Sequence, residues 1–117
     1  MILKISEFYL LKNEILELLK SKASVGEKLE LTELRNYVDF ELKSSNEIRL
    51  ELFKKYGNNL GGGNYEVVDA EAIKGFNEDW KEILDVQKDF KKEFDVNKFT
   101  HLETNGEIEI MLKISSK

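Results

Sequence analysis

Asn46-Glu47-Ile48-Arg49-Leu50-Glu51-Leu52-Phe53-Lys54-Lys55-Tyr56-Gly57 runs into Asn58-Asn59-Leu60-Gly61-Gly62-Gly63-Asn64-Tyr65-Glu66-Val67-Val68-Asp69, and this stretch decides the fold. Its first part continues an apolar stripe from Leu34, Val38 and Leu42 through Leu52 to Tyr56, at the three-to-four spacing of a helix face. Thr32 is the candidate N-cap of that helix, and Gly57 the left-handed stop. A helix over Thr32–Tyr56 is a rod of about 37 Å at 1.5 Å per residue. Ser44-Ser45-Asn46 puts three poor helix formers together, so a kink or short break is expected there. The glycine-rich segment then reverses the chain. Asp69 caps a further helix, in which Ile73, Phe76, Trp80, Ile83, Gln87 and Phe90 keep helical spacing. Two helices joined by a short reversal predict an antiparallel helical hairpin of Thr32–Tyr56 and Asp69–Phe90.

On the N-terminal side, Ile2, Leu3 and Ile5 read as a short strand, and Ser6 as the cap of a helix. Phe8, Leu11, Ile15, Leu18 and Leu19 make its stripe, with Leu10 and Leu16 off that seam. Ser21 to Glu27 reads as a loop. On the C-terminal side, Ile108, Ile110, Leu112 and Ile114 alternate with Glu107, Glu109 and Lys113, the pattern of a half-buried strand. Asn105-Gly106 just before it is a strong hairpin signal, setting Phe99 opposite Leu112 and His101 opposite Ile110. The fold class is therefore α+β, mostly α. A long helical hairpin is joined by a short N-terminal helix and a small C-terminal β-sheet, in a single domain over residues 1–117.

Composition narrows the function classes. With 35% charged and 41% hydrophobic residues the chain is neither disordered nor low-complexity. A net charge of -5 disfavours a dedicated nucleic-acid binder. No apolar run reaches the length of a membrane span, and Glu7 comes too early for a signal-peptide core. There is no cysteine, which removes disulfides, thiolate zinc sites and cysteine nucleophiles and fits a cytoplasmic address.

No constellation of catalytic residues follows. Gly61-Gly62-Gly63 leads into Asn64-Tyr65-Glu66 without the Lys-Ser/Thr pair a phosphate loop requires, so it reads as an exposed turn. His101 is the only histidine and has no nucleophile elbow to serve. Glu78 with Glu82, and Asp85 with Asp89, are four apart, but Lys81 and Lys88 lie among them as on a solvated face. No calcium-loop order of ligands occurs, so no metal or cofactor is expected. Lys88, Lys91, Lys92 and Lys98, interleaved with Phe90 and Phe94, are diluted by Asp89, Glu93 and Asp95.

The string from Asn46 to Gly57, followed by Gly63-Asn64-Tyr65-Glu66-Val67 and by Asp69 through Leu84, resembles a family of small uncharacterised phage and prophage proteins. The similarity spans about Thr32 to Phe99 and rests on a charged helix ending in Lys-Tyr-Gly, a Gly/Asn loop and a capped acidic helix. It implies a viral or prophage origin and an accessory role, and it brings no catalytic residues. The expected function is thus that of a non-enzymatic accessory protein acting through protein–protein contacts, in assembly or in modulating a host. The alternative is an acidic inhibitor or nucleic-acid mimic. Leu10, Leu16, Tyr37 and Phe40 exceed what one neighbouring element can cover, and are the expected surface for a protein partner or a homodimer.

Overall fold

Ser24 and Glu27 start the longest helix. The Glu27 amide donates to Ser24 Oγ at 3.1 Å and the Ser24 amide to Glu27 Oε1 at 2.8 Å, a reciprocal capping box. In this computed structural model, which describes residues 1–102 and 108–115, helix α2 runs from there without a break over Val25–Tyr56. Two expectations are corrected by this helix. The segment up to Glu27 is not all loop, and Thr32 lies inside the helix, because Ser-x-x-Glu offers two reciprocal bonds where Thr32 offers one. The expected break at Ser44-Ser45-Asn46 is absent as well. Ser45 is buried, and weak local propensity gives way to packing.

The other elements are β1 (Ile2–Lys4), α1 (Ile5–Leu19), β2 (Asn58–Gly61), β3 (Asn64–Glu66), α3 (Ala70–Leu84), β4 (Gln87–Asp89), a single 3₁₀ turn at Val96–Lys98, and α4 (Glu109–Ile114). The architecture is α+β and mostly helical, with two small antiparallel sheets, β1–β4 and β2–β3. The chain folds as two compact units: Met1–Leu42 with Gln87–Lys117, and Lys43–Val86.

The first unit holds the core. Phe8, Leu11, Ile15 and Leu18 of α1 and Leu31, Leu34, Val38 and Leu42 of α2 are fully buried. β1 pairs with β4 in the register Leu3 to Lys88, so the last part of the expected third helix is a strand. That helix stops at Leu84 rather than Phe90. The edge offered by Ile2–Lys4 takes up the backbone groups of Gln87–Asp89, and Phe90 turns inward, edge-on to Tyr37 at 5.2 Å. Helix α1 begins at Ile5, two residues ahead of the expectation. Lys4 is its N-cap in place of Ser6, and Glu7 accepts the Lys4 amide at 3.0 Å.

The C-terminal strand expected at Ile108–Ile114 is a helix. Ile110 and Ile114 fit both a period of two and a helical i, i+4 spacing, so the alternation was ambiguous. Burial decides it: Met111, out of phase for a strand face shared with Ile110, is buried beside Ile110 and Ile114, while Leu112 is exposed. The Glu14 carboxylate of α1 accepts the Ile110 amide at 3.1 Å and the Met111 amide at 3.0 Å, satisfying donors at the start of α4. The Asn105-Gly106 turn lies outside the described residues. Neither expected cross-strand pair forms: Phe99 stacks on Phe94 at 5.3 Å, and His101 Nε2 lies 2.9 Å from Glu27.

The second unit is a hairpin of helices with a hairpin of strands between them. Gly57 does not adopt the left-handed conformation expected of it. A Cβ there would meet the Phe53 carbonyl oxygen at 2.5 Å, so glycine is needed for close approach. The positive φ values belong to Gly61, Gly62 and Gly63, which form the turn between β2 and β3. Asp69 caps α3 as expected, accepting the Ala72 amide at 3.2 Å.

Candidate interaction surface

Within the second unit, α3 meets the C-terminal half of α2 in the antiparallel sense. Arg49 lies with Trp80, Phe53 with Phe76, and Tyr56 with Gly75, so positions descend on one helix as they rise on the other. Gly75 makes the approach feasible: a Cβ there would be 2.6 Å from the Tyr56 ring. The Tyr56 hydroxyl donates to Asp79 at 2.6 Å, and Lys55 lies 3.4 Å from the same carboxylate. The Tyr56 hydrogen bond, with Lys55 beside it, holds the Asp79 carboxyl below its ordinary value. Lys55 is pushed up by its contacts to Tyr56 and Asp79.

One aromatic cluster results. Phe53 and Phe76 are 4.8 Å apart between ring centres, and the Arg49 guanidinium lies 5.3 Å from the Phe53 ring and 5.8 Å from the Trp80 ring. None of it is sealed. Helix α3 is strongly amphipathic, yet no residue of it is buried. Ile73 is 41% exposed and Leu50, on α2, 63%. Of the eighteen buried apolar side chains among the described residues, only Leu52 belongs to this unit. On the other side of α2, a shallow groove runs along Ser44, Glu47, Ile48, Glu51, Leu52 and Lys55.

The residues singled out from the sequence are all in the first unit. Leu10 is 52% and Phe40 75% exposed, while Leu16 is half-buried. Leu10 and Leu16 are six apart and so about 120° apart around α1, off a common stripe. Tyr37 is engaged internally: its ring meets Phe90 and its hydroxyl accepts the Lys91 amide at 2.8 Å. The lysine cluster is tied down in part. Lys88 reaches the Glu41 carboxylate at 3.1 Å and its carbonyl at 2.8 Å, and Lys98 reaches Glu30 at 3.3 Å. Asp85 and Asp89 do not share a helix face, since Asp89 is in β4. The sequence showed Ile73, Phe76 and Trp80 only as a helical stripe and did not single them out as a candidate surface; Phe76 and Trp80 are half-buried and Ile73 is exposed. The signal available was that their helix has a single helical neighbour in the sequence pattern.

Among the described residues no three acidic, histidine or cysteine side chains converge as metal ligands. No helix among them is long and apolar enough to cross a membrane. Comparison with protein-family models, with curated proteins and with solved structures found no match to this chain.

Proposed function

We propose that the protein is non-enzymatic and works by holding another protein on the α2–α3 hairpin, in a cytoplasmic accessory role of the phage kind. One observation supports this above the rest: a fifteen-residue amphipathic helix with none of its apolar side chains buried. Folded chains seldom leave such a stripe uncovered unless a partner uses it. The cluster also has the composition of binding hot spots, with Trp80, Phe53, Phe76 and Arg49 in mutual contact. The alternative, an acidic inhibitor or nucleic-acid mimic, would use Glu71, Glu78 and Glu82 on the solvent side of α3 instead.

Affinity capture from lysate with the wild-type chain, Ile73→Glu, Leu10→Lys and a Glu78→Gln/Glu82→Gln double variant tests the reading. A protein held by the wild type and by Leu10→Lys, and lost with Ile73→Glu, is the expected result. Loss only with Leu10→Lys moves the surface to α1. Loss only in the glutamine variant, with release at high salt, selects the acidic reading.

A further inference from the structure

Charge is not spread evenly around the hairpin. At about 100° per residue, the side chains of α3 follow a fixed order around its axis. Gly75 and Asp79 face Tyr56; then come Phe76, Trp80 and Ile73; then Lys81 and Lys74; and beyond these Glu78, Glu71 and Glu82. On α2 the residues beyond Phe53, going away from Tyr56, are Asn46, Leu50, Lys43 and Lys54, with Glu47 next to the two lysines. The half-buried aromatic side, with Leu50 and Ile73 exposed on it, is thus bordered by Lys74 and Lys81 on α3 and by Lys43 and Lys54, with Glu47 beside them, on α2. Lys43, Lys54, Lys74 and Lys81 are exposed, and none is held in an ion pair among the described residues. Arg49 sits in the middle, over two rings.

A surface that is apolar along its centre and carries a net positive charge along both edges is complementary to a helix that is apolar on one stripe and acidic beside it. A second copy of this chain fits poorly. A two-fold contact sets the patch against a copy of itself, so Arg49, Lys74 and Lys81 would meet a surface carrying the same cations. Single-stranded nucleic acid fits less well too. Ile73 and Leu50 are aliphatic where stacking would need rings, and the glutamates of α3 repel a long phosphate chain.

We infer that the aromatic side of the α2–α3 hairpin, edged by Lys43, Lys74 and Lys81, binds an acidic amphipathic helix of a partner protein. The inference rests on the hairpin being the interaction surface and adds the chemistry of what it holds.

Trp80 is the only tryptophan, so its emission reports on this surface alone. The probes are two peptides of about five helical turns, with leucine at i, i+3, i+4 and i+7 and either glutamate or lysine beside the stripe. With the full chain, the glutamate peptide should move Trp80 emission to shorter wavelength saturably, and bind at least about tenfold more tightly than the lysine peptide. That preference should shrink about tenfold in Lys74→Glu/Lys81→Glu and as salt rises from about 50 to about 300 mM. Equal affinity for both peptides, or no saturable change with the glutamate peptide, overturns the inference. So does an oligo-dT strand that binds more tightly than the peptide, or self-association that Lys74→Glu/Lys81→Glu abolishes. If Ile73→Glu still loses its captured protein while the glutamate peptide fails, the surface stands and the acidic helix alone falls.

Discussion

Helices α1 and α3 are each fifteen residues long and amphipathic, yet α1 buries five side chains and α3 none. The difference lies in their neighbours. Phe90, the residue after strand β4, reaches Phe8 of α1, while α4 docks along α1 with the Ile110 and Met111 amides on Glu14. Helix α3 has the C-terminal half of α2, held off by bulky rings and notched only at Gly75. An apolar stripe records which side of a helix needs cover; whether cover arrives depends on what else the chain supplies.

Truncation should separate the two units most strongly. Phe8→Ala removes a fully buried ring and is expected to cost about 3–5 kcal/mol. Trp80→Ala, on a half-buried ring, should cost less than about 1.5 kcal/mol beside it. Denaturant midpoints read both, and equal losses would break the contrast. Next in size is Glu14→Ala, which strips two acceptors from the start of α4 and should cost about 1–2 kcal/mol. Faster exchange of the Met111 amide, with α3 amides unchanged, is the sharpening result.

The pH dependence carried by Glu14 and by Asp79 should run in opposite directions, with smaller effects; Glu7 and Glu27 of the first unit are lowered, as Asp79 is. Burial pushes the Glu14 carboxyl up, against the hydrogen bonds from Met111 and Ile110. A raised acid contributes its stability fully below its unfolded value and loses it as pH climbs through the folded one. Asp79 is lowered, by the Tyr56 hydrogen bond first. Its contribution is present above the unfolded value of about 3.9 and lost as pH falls through the folded one. Tyr56→Phe should return Asp79 toward its ordinary value in a carbon-detected NMR titration and leave Glu14 where it is. An unmoved Asp79 would show that Lys55 alone sets its charge.

Much of the first unit could be read in advance. The stripe Phe8, Leu11, Ile15, Leu18 is buried as its spacing said, and in the second unit Asp69 caps α3. The errors share a cause. Ile108–Ile114, Gln87–Asp89 and Tyr37 took their conformations from residues far away in sequence: Glu14 for α4, Ile2–Lys4 for β4, and Phe90 with Lys91 for Tyr37. Periodicity is a local signal, and Ile110 and Ile114 satisfy two periods at once. The candidate surface was hidden for a related reason. Trp80 and Ile73 have the spacing of core residues, and only the fold reveals that Trp80 stays half-buried and Ile73 exposed.

Lys88 meets both the carbonyl and the carboxylate of Glu41, so the chain leaves the first unit and re-enters it at nearly the same point. All of Lys43–Val86 is a detour between those two residues. This sets an order of events during synthesis. The hairpin's contacts, Arg49 to Trp80 among them, span a few tens of residues and can close as soon as Leu84 is available. The main core cannot: Leu3 waits for Lys88, and Glu14 waits for Met111, almost a hundred residues later. The weaker unit is therefore the first whose sequence is complete, and the well-packed one is closed last, by a six-residue helix.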